Sequence, residues 1–196
     1  LTFANALRAM LRQAPNVVML GEIRDIETAS IAINASLTGH LVFSTLHTND
    51  APSAVTRLTD IGVKPFLIAS ATRCLMAQRL VRKICPKCEA PAEAVESELL
   101  SLGLDPNNIK DPNFKAGKGC DKCSGTGHKG RFGLFEVFVV DDESRKMIVK
   151  NVTATQLRKR AREVGMRTLR EDGARKAVAG MTTPSEVLRV TVGDED

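Results

Sequence analysis

The chain has 196 residues, of which 43% are apolar and 26% are charged, and its formal net charge is +5. These proportions are those of globular proteins, so they argue against collagen-like, coiled-coil and disordered classes. The length suits one domain, or one domain with a small satellite. The longest stretch without Asp, Glu, Lys or Arg, 28–49, is rich in Ser, Thr, Asn and Gly and therefore does not fit a membrane span.

The first predicted elements alternate between helix and strand. A helix over 1–13 is followed by the apolar run 17–20, whose length and continuity are typical of a strand buried on both faces of a sheet. Asp25 is a candidate N-cap for a helix over 26–37, and 41–46 is expected to form a second buried strand. This order predicts a parallel α/β sheet.

Two more helices are expected before residue 85. Asp50 is expected to begin a helix that ends near Gly62, and 64–84 is expected to form one long amphipathic helix. Cys74, on that helix, is interpreted as a buried small residue. The apolar side chains expected inside are Phe66, Leu67, Leu75, Leu80 and Val81.

The pattern changes after residue 84. Residues 85–130 are rich in Gly and Pro and show little core periodicity, whereas 131–140 alternates as a strand does. The remainder, 141–192, is expected to form helices. The glycines expected to end them are Gly165, Gly173 and Gly180.

Two Cys-x-x-Cys pairs, separated by 31 residues, are the clearest chemical signal in the sequence. Together they offer four thiolates, which suit a closed tetrahedral zinc site of structural type. The alternative is a pair of independent thiol sites, because Cys-Pro-x-Cys also occurs in redox enzymes. The candidate zinc ligands are Cys85, Cys88, Cys120 and Cys123.

Charge is distributed unevenly along the chain. Residues 89–111 contain six acidic residues and one Lys, whereas 145–176 contain eleven basic and three acidic residues. A basic block of this kind is usually a solvated helical surface, and contact with nucleic acid or anionic lipid is the alternative. The chain contains seven Phe, no Tyr and no Trp, so it lacks most of the stacking side chains that single-strand binders use.

Polar groups follow both predicted strands of the first half. Glu22 comes after the strand 17–20, and His47 comes at the end of 41–46. Because parallel strands end at the same edge of a sheet, this arrangement resembles the placement of the Walker B carboxylate in P-loop ATPases. A surface Glu and a structural His are the alternatives.

Four groups of residues carry a family resemblance in the correct order. The motif RQAPNVVMLGEIRD at 12–25 and the motif TGHLVFSTLHTN at 38–49 resemble the Walker B segment and the histidine box of the secretion ATPases. These are the motors of type II secretion and type IV pilus assembly. The cysteine motif at 119–131 resembles their tetracysteine insertion, and 165–173 with 182–189 resembles their C-terminal helices.

The resemblance implies an α/β fold: the C-terminal part of a RecA-like P-loop ATPase core with a small tetracysteine zinc insertion and a helical C-terminal tail. The implied division assigns 1–84 to the ATPase core, 85–130 to the zinc insertion, and 131–196 to a strand with the helical subdomain.

The resemblance also implies roles for individual residues in a hexameric ATPase that uses ATP and Mg²⁺ and carries Zn²⁺. Glu22 would be the catalytic carboxylate, and His47 would sense or orient the γ-phosphate. His40 and Arg24 would support them at the nucleotide, and Arg131 would lie near it. A Gly stands at position 21, where many P-loop enzymes have an Asp linked to Mg²⁺, so the metal role of Glu22 is left open.

The implied location is the cytoplasmic, inner face of the bacterial inner membrane, with membrane platform proteins as partners and no nucleic acid. The tetracysteine motif favours the secretion branch, because the retraction motors of type IV pili lack it. The alternatives are a zinc-ribbon module that binds nucleic acid and, from the likeness of 120–127 to one DnaJ repeat, a chaperone-like zinc module.

One motif of the family is missing from the sequence. No Gly-x-x-x-x-Gly-Lys-Ser/Thr loop occurs, and the chain begins at Leu1 without an initiator Met. We therefore expect the chain to be the C-terminal half of a motor, and to have no appreciable ATPase activity alone.

Overall fold

The computed structural model describes the backbone of residues 3–191 and the side chains of residues 4–191. Its helices are α1 (Phe3–Leu11), α2 (Ile26–Leu37), α3 (Ser53–Asp60), α4 (Pro65–Ala71), α5 (Glu96–Ser101), α6 (Asp142–Val149), α7 (Ala154–Glu163), α8 (Leu169–Val178) and α9 (Pro184–Val190). Its strands are β1 (Val17–Met19), β2 (Leu41–Phe43), β3 (Cys74–Ile84), β4 (Glu89–Pro91), β5 (Lys115–Gly117) and β6 (His128–Val139). Within these residues, no helix has the length and apolar character needed to cross a bilayer.

The described residues form two compact units. The first consists of the residues up to Leu75 together with Val137–Met166, and the second of Met76–Glu136 together with the residues from Arg167 onward. In the first unit, β1 and β2 are parallel and pair Val18 with Val42. In the second, β4 and β5 are antiparallel, and β3 pairs with β6. The division into the segments 1–84, 85–130 and 131–196 has other boundaries than these two units and stays a prediction.

Local signals set the bounds of α2, as predicted. The Asp25 carboxylate accepts a hydrogen bond from the Thr28 amide at 2.8 Å, which satisfies one of the free N–H groups at the start of the helix. Asp50 lies three residues before the start of the next helix, and its carboxylate accepts a hydrogen bond from the amide of Ser53, the first residue of α3, at 2.8 Å. The N-cap prediction for Asp25 is confirmed, whereas the helix expected to begin at Asp50 begins at Ser53, with Pro52 at its N-cap position.

The prediction that β1 and β2 are buried on both faces is wrong for this chain. Val18 and Leu20 pack with Leu7 and Ala32 in a core cluster on one side of the pair. The other side is open, since Met19 is 76% exposed and Phe43 is 53% exposed. The described helices cover one face of the two-stranded sheet and leave the other to solvent.

The long helix over 64–84 is also a wrong prediction. Helix α4 ends at Ala71, and the backbone of Thr72 is already extended. β3 then begins at Cys74, which is exposed rather than buried, and pairs with β6. Of the five side chains expected inside, Val81 is buried, whereas Phe66 and Leu80 are exposed. Apolar residues spaced two and four apart fit a strand as well as a helix, and a distant partner strand decided between them.

The glycine predictions for the C-terminal helices are partly confirmed. Gly165 and Gly180 follow helices with positive φ values of 96° and 73°. Gly173 instead lies inside α8, where an added Cβ would come within 2.3 Å of a Val187 methyl group. Its role is therefore close packing of α8 on α9 and not helix termination. Val192, the last residue of the predicted helical segment, lies outside the described residues.

Candidate functional site

The first candidate site lies where the chain leaves β1 and β2. The hydrogen bonding of this pair continues past the strands, from the Leu20 amide to the Phe43 carbonyl at 2.8 Å and from the Ile23 amide to the Thr45 carbonyl at 3.1 Å. Because both strands run in the same direction, the two segments that follow them leave the sheet side by side. Glu22 lies in one of these segments and His47 in the other.

Glu22 and His47 are in direct contact in the structure. The Nε2 atom of His47 lies 2.8 Å from one carboxylate oxygen of Glu22, and it acts as the donor because an ionised carboxylate only accepts. Arg24 forms an ion pair with the other oxygen. The hydrogen bonds from Arg24 first and from His47 second hold the pKa of the Glu22 carboxyl below its usual range.

The three side chains of this group are open to a ligand. The Glu22 side chain is 30% exposed, whereas those of His47 and Arg24 are largely in solvent. A polar cavity of about 310 Å³ adjoins His47 and is lined by residues of the loop after β2 and of α3. An ionised carboxylate, an imidazole and a guanidinium at one accessible edge can orient a water molecule and contact a phosphate group.

Two other residues predicted for the nucleotide site lie elsewhere in the fold. His40 precedes β2, at the opposite end of the strand from His47, and its Nδ1 atom lies 3.0 Å from the carbonyl of Ala35 in α2. Arg131 is an exposed residue of β6 in the second unit. The structure therefore brings Glu22, His47 and Arg24 together, and the roles of His40 and Arg131 stay predictions.

The loop between β2 and α3, which carries His47, is anchored by an ion pair that the sequence did not indicate. Arg158 in α7 contacts the Asp50 carboxylate at 2.6 Å, and this carboxylate also accepts a hydrogen bond from the first amide of α3. The two residues are 108 positions apart. The sequence indicates a helix start at Asp50, but it gives no sign that Arg158 is the ion-pair partner of this residue.

The four paired cysteines form the second candidate site. Their sulfur atoms all lie within 4.8 Å of one another. The separations between Sγ atoms are 3.9 Å for Cys85 and Cys120, 3.9 Å for Cys88 and Cys123, and 3.7 Å for Cys120 and Cys123. A tetrahedral zinc ion with Zn–S bonds of about 2.3 Å requires sulfur atoms about 3.8 Å apart, so the cluster fits this metal.

Backbone groups around the cluster favour thiolates. The Cys123 sulfur accepts hydrogen bonds from the amides of Cys120 at 3.2 Å and Gly127 at 3.3 Å. Burial by itself raises the pKa of the Cys123 thiol, but these amides and the neighbouring thiols lower it to about 6. Burial raises the pKa of Cys88 to about 12. A bound cation would offset the cost of keeping such sulfurs ionised.

The turn that supplies one of these amides requires glycine. Gly127 has a φ of 71°, and a Cβ placed there would lie 2.5 Å from the carbonyl oxygen of Gly117. No side chain fits that approach, so glycine at this position keeps the amide directed at the Cys123 sulfur.

Several side chains of the basic block in 145–176 have structural partners. Arg145 binds the carbonyl of Ala69 at 3.0 Å, near the end of α4. Arg158 and Arg160 form ion pairs with acidic residues of the first unit. Lys176 pairs with Asp172 in the second unit. These bases hold the fold together, which leaves fewer of them for an anionic partner.

Comparison with known proteins places these features in a family. The family model described as type II/IV secretion system protein matches residues 1–189. The chain is 52% identical over 192 residues to the type IV pilus assembly ATPase PilB of Thermus thermophilus, covering 98% of this chain and 22% of that protein. It is 50% identical over 191 residues to the type II secretion system protein E of Pseudomonas aeruginosa, covering 97% of this chain and 38% of that protein.

Solved structures show the same fold. The pilus retraction motor PilT with bound ADP matches with a TM-score of 0.64 and 25% identity, covering 96% of this chain and 43% of PilT. The ATPase DotB of Legionella pneumophila matches with a TM-score of 0.65 and 23% identity, covering 98% of this chain and 42% of DotB. The chain thus has the α/β architecture of RecA-like ATPases and spans less than half the length of these relatives. It belongs to the type II/IV secretion system protein family, which includes the type II secretion and type IV pilus assembly ATPases.

Proposed function

We propose that this chain supplies the catalytic carboxylate and the phosphate-sensing histidine of an ATP-hydrolysing motor for secretion or pilus assembly. The observation that carries the proposal is the 2.8 Å contact between Glu22 and His47 at the shared carboxyl edge of two parallel strands. This is the edge at which open α/β sheets bind their ligands. The substrate is ATP with its Mg²⁺ ion.

In this proposal Glu22 acts on the attacking water, whereas His47 and Arg24 act on the phosphate. Glu22 accepts hydrogen bonds from the attacking water and orients it, for which an ionised carboxylate at neutral pH is suited. His47 and Arg24 direct N–H groups toward the γ-phosphate, where negative charge is neutralised during transfer. We extend the proposal to Arg131 and His40 as nucleotide-binding residues, in line with the family resemblance.

The structure has room beside β2 for a further segment of the motor. A groove of about 610 Å³ lies between β2 on one side and Thr72–Leu75 on the other, with α2 along it. Its walls are mainly apolar, and Leu41 and Phe43 in β2 are half exposed. A strand of apolar residues suits such a groove, and the relatives that match this chain are longer than it. The sequence also lacks the Gly-x-x-x-x-Gly-Lys-Ser/Thr motif, so we propose that the phosphate-binding loop comes from another segment of the motor and that the isolated chain does not turn over ATP.

The test compares two proteins. One is the isolated chain, and the other is the chain joined to the preceding part of the Pseudomonas aeruginosa type II secretion system protein E. We expect ATP turnover only in the joined protein, with losses of about 100-fold or more in Glu22→Gln and His47→Ala. Glu27→Gln, which alters a surface ion pair with Arg8, is the control and should keep full turnover. Turnover that both site variants retain would refute the assigned roles.

We further propose that the cysteine cluster holds one structural Zn²⁺, with Cys85, Cys88, Cys120 and Cys123 as its ligands. Four sulfur ligands leave no open position, so the metal stabilises the fold and takes no part in hydrolysis. Metal analysis of the purified chain should find about one zinc per chain. Cys120→Ser should lose it, whereas Cys74→Ser, which changes an exposed thiol outside the cluster, should retain it. Equal zinc content in the two variants would exclude the site.

The wider setting follows from the family. We propose a homo-hexamer at the cytoplasmic face of the inner membrane, working with membrane platform proteins. Relatives from pilus assembly and from type II secretion match at 52% and 50% identity, so the proposal covers the motor function that both branches share. A zinc-ribbon module for nucleic acid has no comparable support, because several bases of 145–176 are held in ion pairs.

A further inference from the structure

Thr45 is bonded to the backbone on both sides of Glu22. Its hydroxyl donates a hydrogen bond to the carbonyl oxygen of Gly21 at 2.6 Å. Its own carbonyl accepts one from the amide of Ile23 at 3.1 Å. The residue before Glu22 and the residue after it are therefore both held by one residue of the neighbouring segment.

The same residue also lies close to His47 in the chain. His47 follows Thr45 by two positions, and its ring contacts the carboxylate that lies between the two bonds of Thr45. The regular pairing of β1 with β2 ends at Met19 and Phe43, before either functional side chain is reached. Beyond that point, the bonds of Thr45 continue the alignment of the two segments.

Glycine at position 21 makes this support necessary. An added Cβ there would meet no atom within 4 Å, so no side-chain packing restricts this part of the backbone. Glycine also has the largest conformational freedom of any residue. Without the Thr45 hydroxyl, the carbonyl of Gly21 could rotate and move the Glu22 carboxylate away from His47.

We propose that Thr45 is a positioning residue that holds Glu22 and His47 in register, with its hydroxyl as the essential group. The assignment of this pair to ATP hydrolysis rests on the function proposed above, whereas the alignment of the pair is a property of the chain itself. Thr45 is exposed and lies outside the apolar core, so its hydroxyl acts on the geometry of the site more than on the stability of the fold.

The alignment is tested in the isolated chain by NMR titration of the Glu22 carboxyl group. Thr45→Val keeps the shape of the side chain and removes the hydroxyl, and it should move the titration midpoint up toward the ordinary value of 4.5. Thr45→Ser should titrate like the unmodified chain. Thr155→Val, the same change at an exposed position of α7 outside the cavity beside His47, is the matched control and should have no effect.

A second set of variants separates positioning from a general loosening of the chain. His47→Ala alone should raise the Glu22 midpoint, and adding Thr45→Val should then raise it by less than it does in the unmodified chain. An unchanged midpoint in Thr45→Val, or an effect of equal size with and without His47, would overturn the proposal. If Thr45→Val does not fold, Thr45→Ala takes its place, and a Glu22 midpoint in Thr45→Ala equal to that in Thr45→Ser would overturn the proposal.

The joined motor protein connects the alignment to turnover. There, Thr45→Val should lower kcat about 10- to 100-fold with little change in KM for ATP, and Thr45→Ser should restore it. If the titrations show that the effect of Thr45→Val depends on His47, but Glu22→Gln does not change turnover, the proposed function is refuted and the positioning role of Thr45 stands. Full activity in Thr45→Val, with Glu22→Gln inactive, would refute the positioning role alone.

Discussion

Glu186 in α9 is a buried carboxylate on which two arginines of the second unit converge. Its side chain is 1% exposed. One oxygen accepts from the Arg82 amide at 3.0 Å and from Arg189 at 2.6 Å, and the other accepts from the Arg82 guanidinium at 2.7 Å and from Arg189 at 2.9 Å. The group joins α9 to β3, so its loss should weaken the whole second unit.

The expected cost of Glu186→Gln follows from these contacts. Glutamine keeps one acceptor oxygen and places an NH₂ group against guanidinium donors, so two charge-assisted hydrogen bonds are lost. Such bonds contribute about 1.5–3 kcal/mol each. Because the Arg82 and Arg189 side chains are 45% and 56% exposed, water replaces part of what they lose. We therefore expect the free energy of unfolding to fall by about 2–3 kcal/mol.

The stability that Glu186 contributes should depend on pH in a defined direction. Burial raises the pKa of the Glu186 carboxyl, but the hydrogen bonds from Arg189 and Arg82 lower it by more than burial raises it. The pKa therefore lies well below the ordinary value of 4.5. The stabilisation is therefore complete above pH 4.5 and is lost as the pH falls toward the folded-state pKa. The difference between the unmodified chain and Glu186→Gln should narrow below pH 4.5.

Urea denaturation followed by circular dichroism, with amide exchange in α8 and α9 as a local probe, measures both effects. Glu96→Gln, an exposed carboxylate in α5 of the same unit, is the matched control and should change stability by less than about 0.5 kcal/mol. Two results would refute the reasoning. One is an equal loss of stability in Glu186→Gln and Glu96→Gln. The other is a stability difference between the unmodified chain and Glu186→Gln that stays constant from about pH 3 to about pH 7, a range that brackets the ordinary pKa of a carboxyl group.

Three further predictions concern packing and the metal site. Arg145→Ala should cost about 2 kcal/mol in urea denaturation, because it leaves the carbonyls of Ala69, Thr72 and Val140 without their shared donor, and Arg145→Lys should recover less than half of that loss. Gly173→Ala should cost about 1–3 kcal/mol although Ala favours helices, because its Cβ would overlap Val187; adding Val187→Ala should make the combined loss smaller than the sum of the single losses. Gly127→Ala should reduce zinc retention in a competition with a chelator, because it displaces an amide that binds the Cys123 sulfur, whereas Gly125→Ala, with open space around its Cβ, should have the smaller effect.

The sequence predicted the parts of the fold that depend on neighbouring residues. Asp25 caps α2, and Asp50 binds the first amide of α3, because each carboxylate reaches an amide three positions ahead, which is a local relation. The proximity of Glu22 and His47 could also be predicted from the sequence, because two short apolar runs joined by a helix imply parallel strands with a common edge. The spacing of the four paired cysteines also predicted that they form one cluster.

The features that the sequence did not predict depend on distant partners. β3 forms in place of a long helix because β6, more than 40 residues later, provides hydrogen bonds to it. The roles of Arg145 and Arg158 depend on carbonyls and a carboxylate 73 to 108 positions away, so each appeared in the sequence only as part of a basic block. The sequence did not indicate the role of Thr45 for the same reason, because the Gly21 carbonyl that it binds is 24 positions away.

The open face of the β1–β2 pair has a consequence for the behaviour of the chain in solution. Val17, Met19, Leu41 and Phe43 present four large apolar side chains there, and β2 borders an apolar groove. Short apolar strands with an accessible edge act as templates for strands of other molecules. Samples of the isolated chain should therefore self-associate as the protein concentration rises, by intermolecular β-pairing. Charged substitutions at Met19 and Phe43 should keep it monodisperse in light scattering.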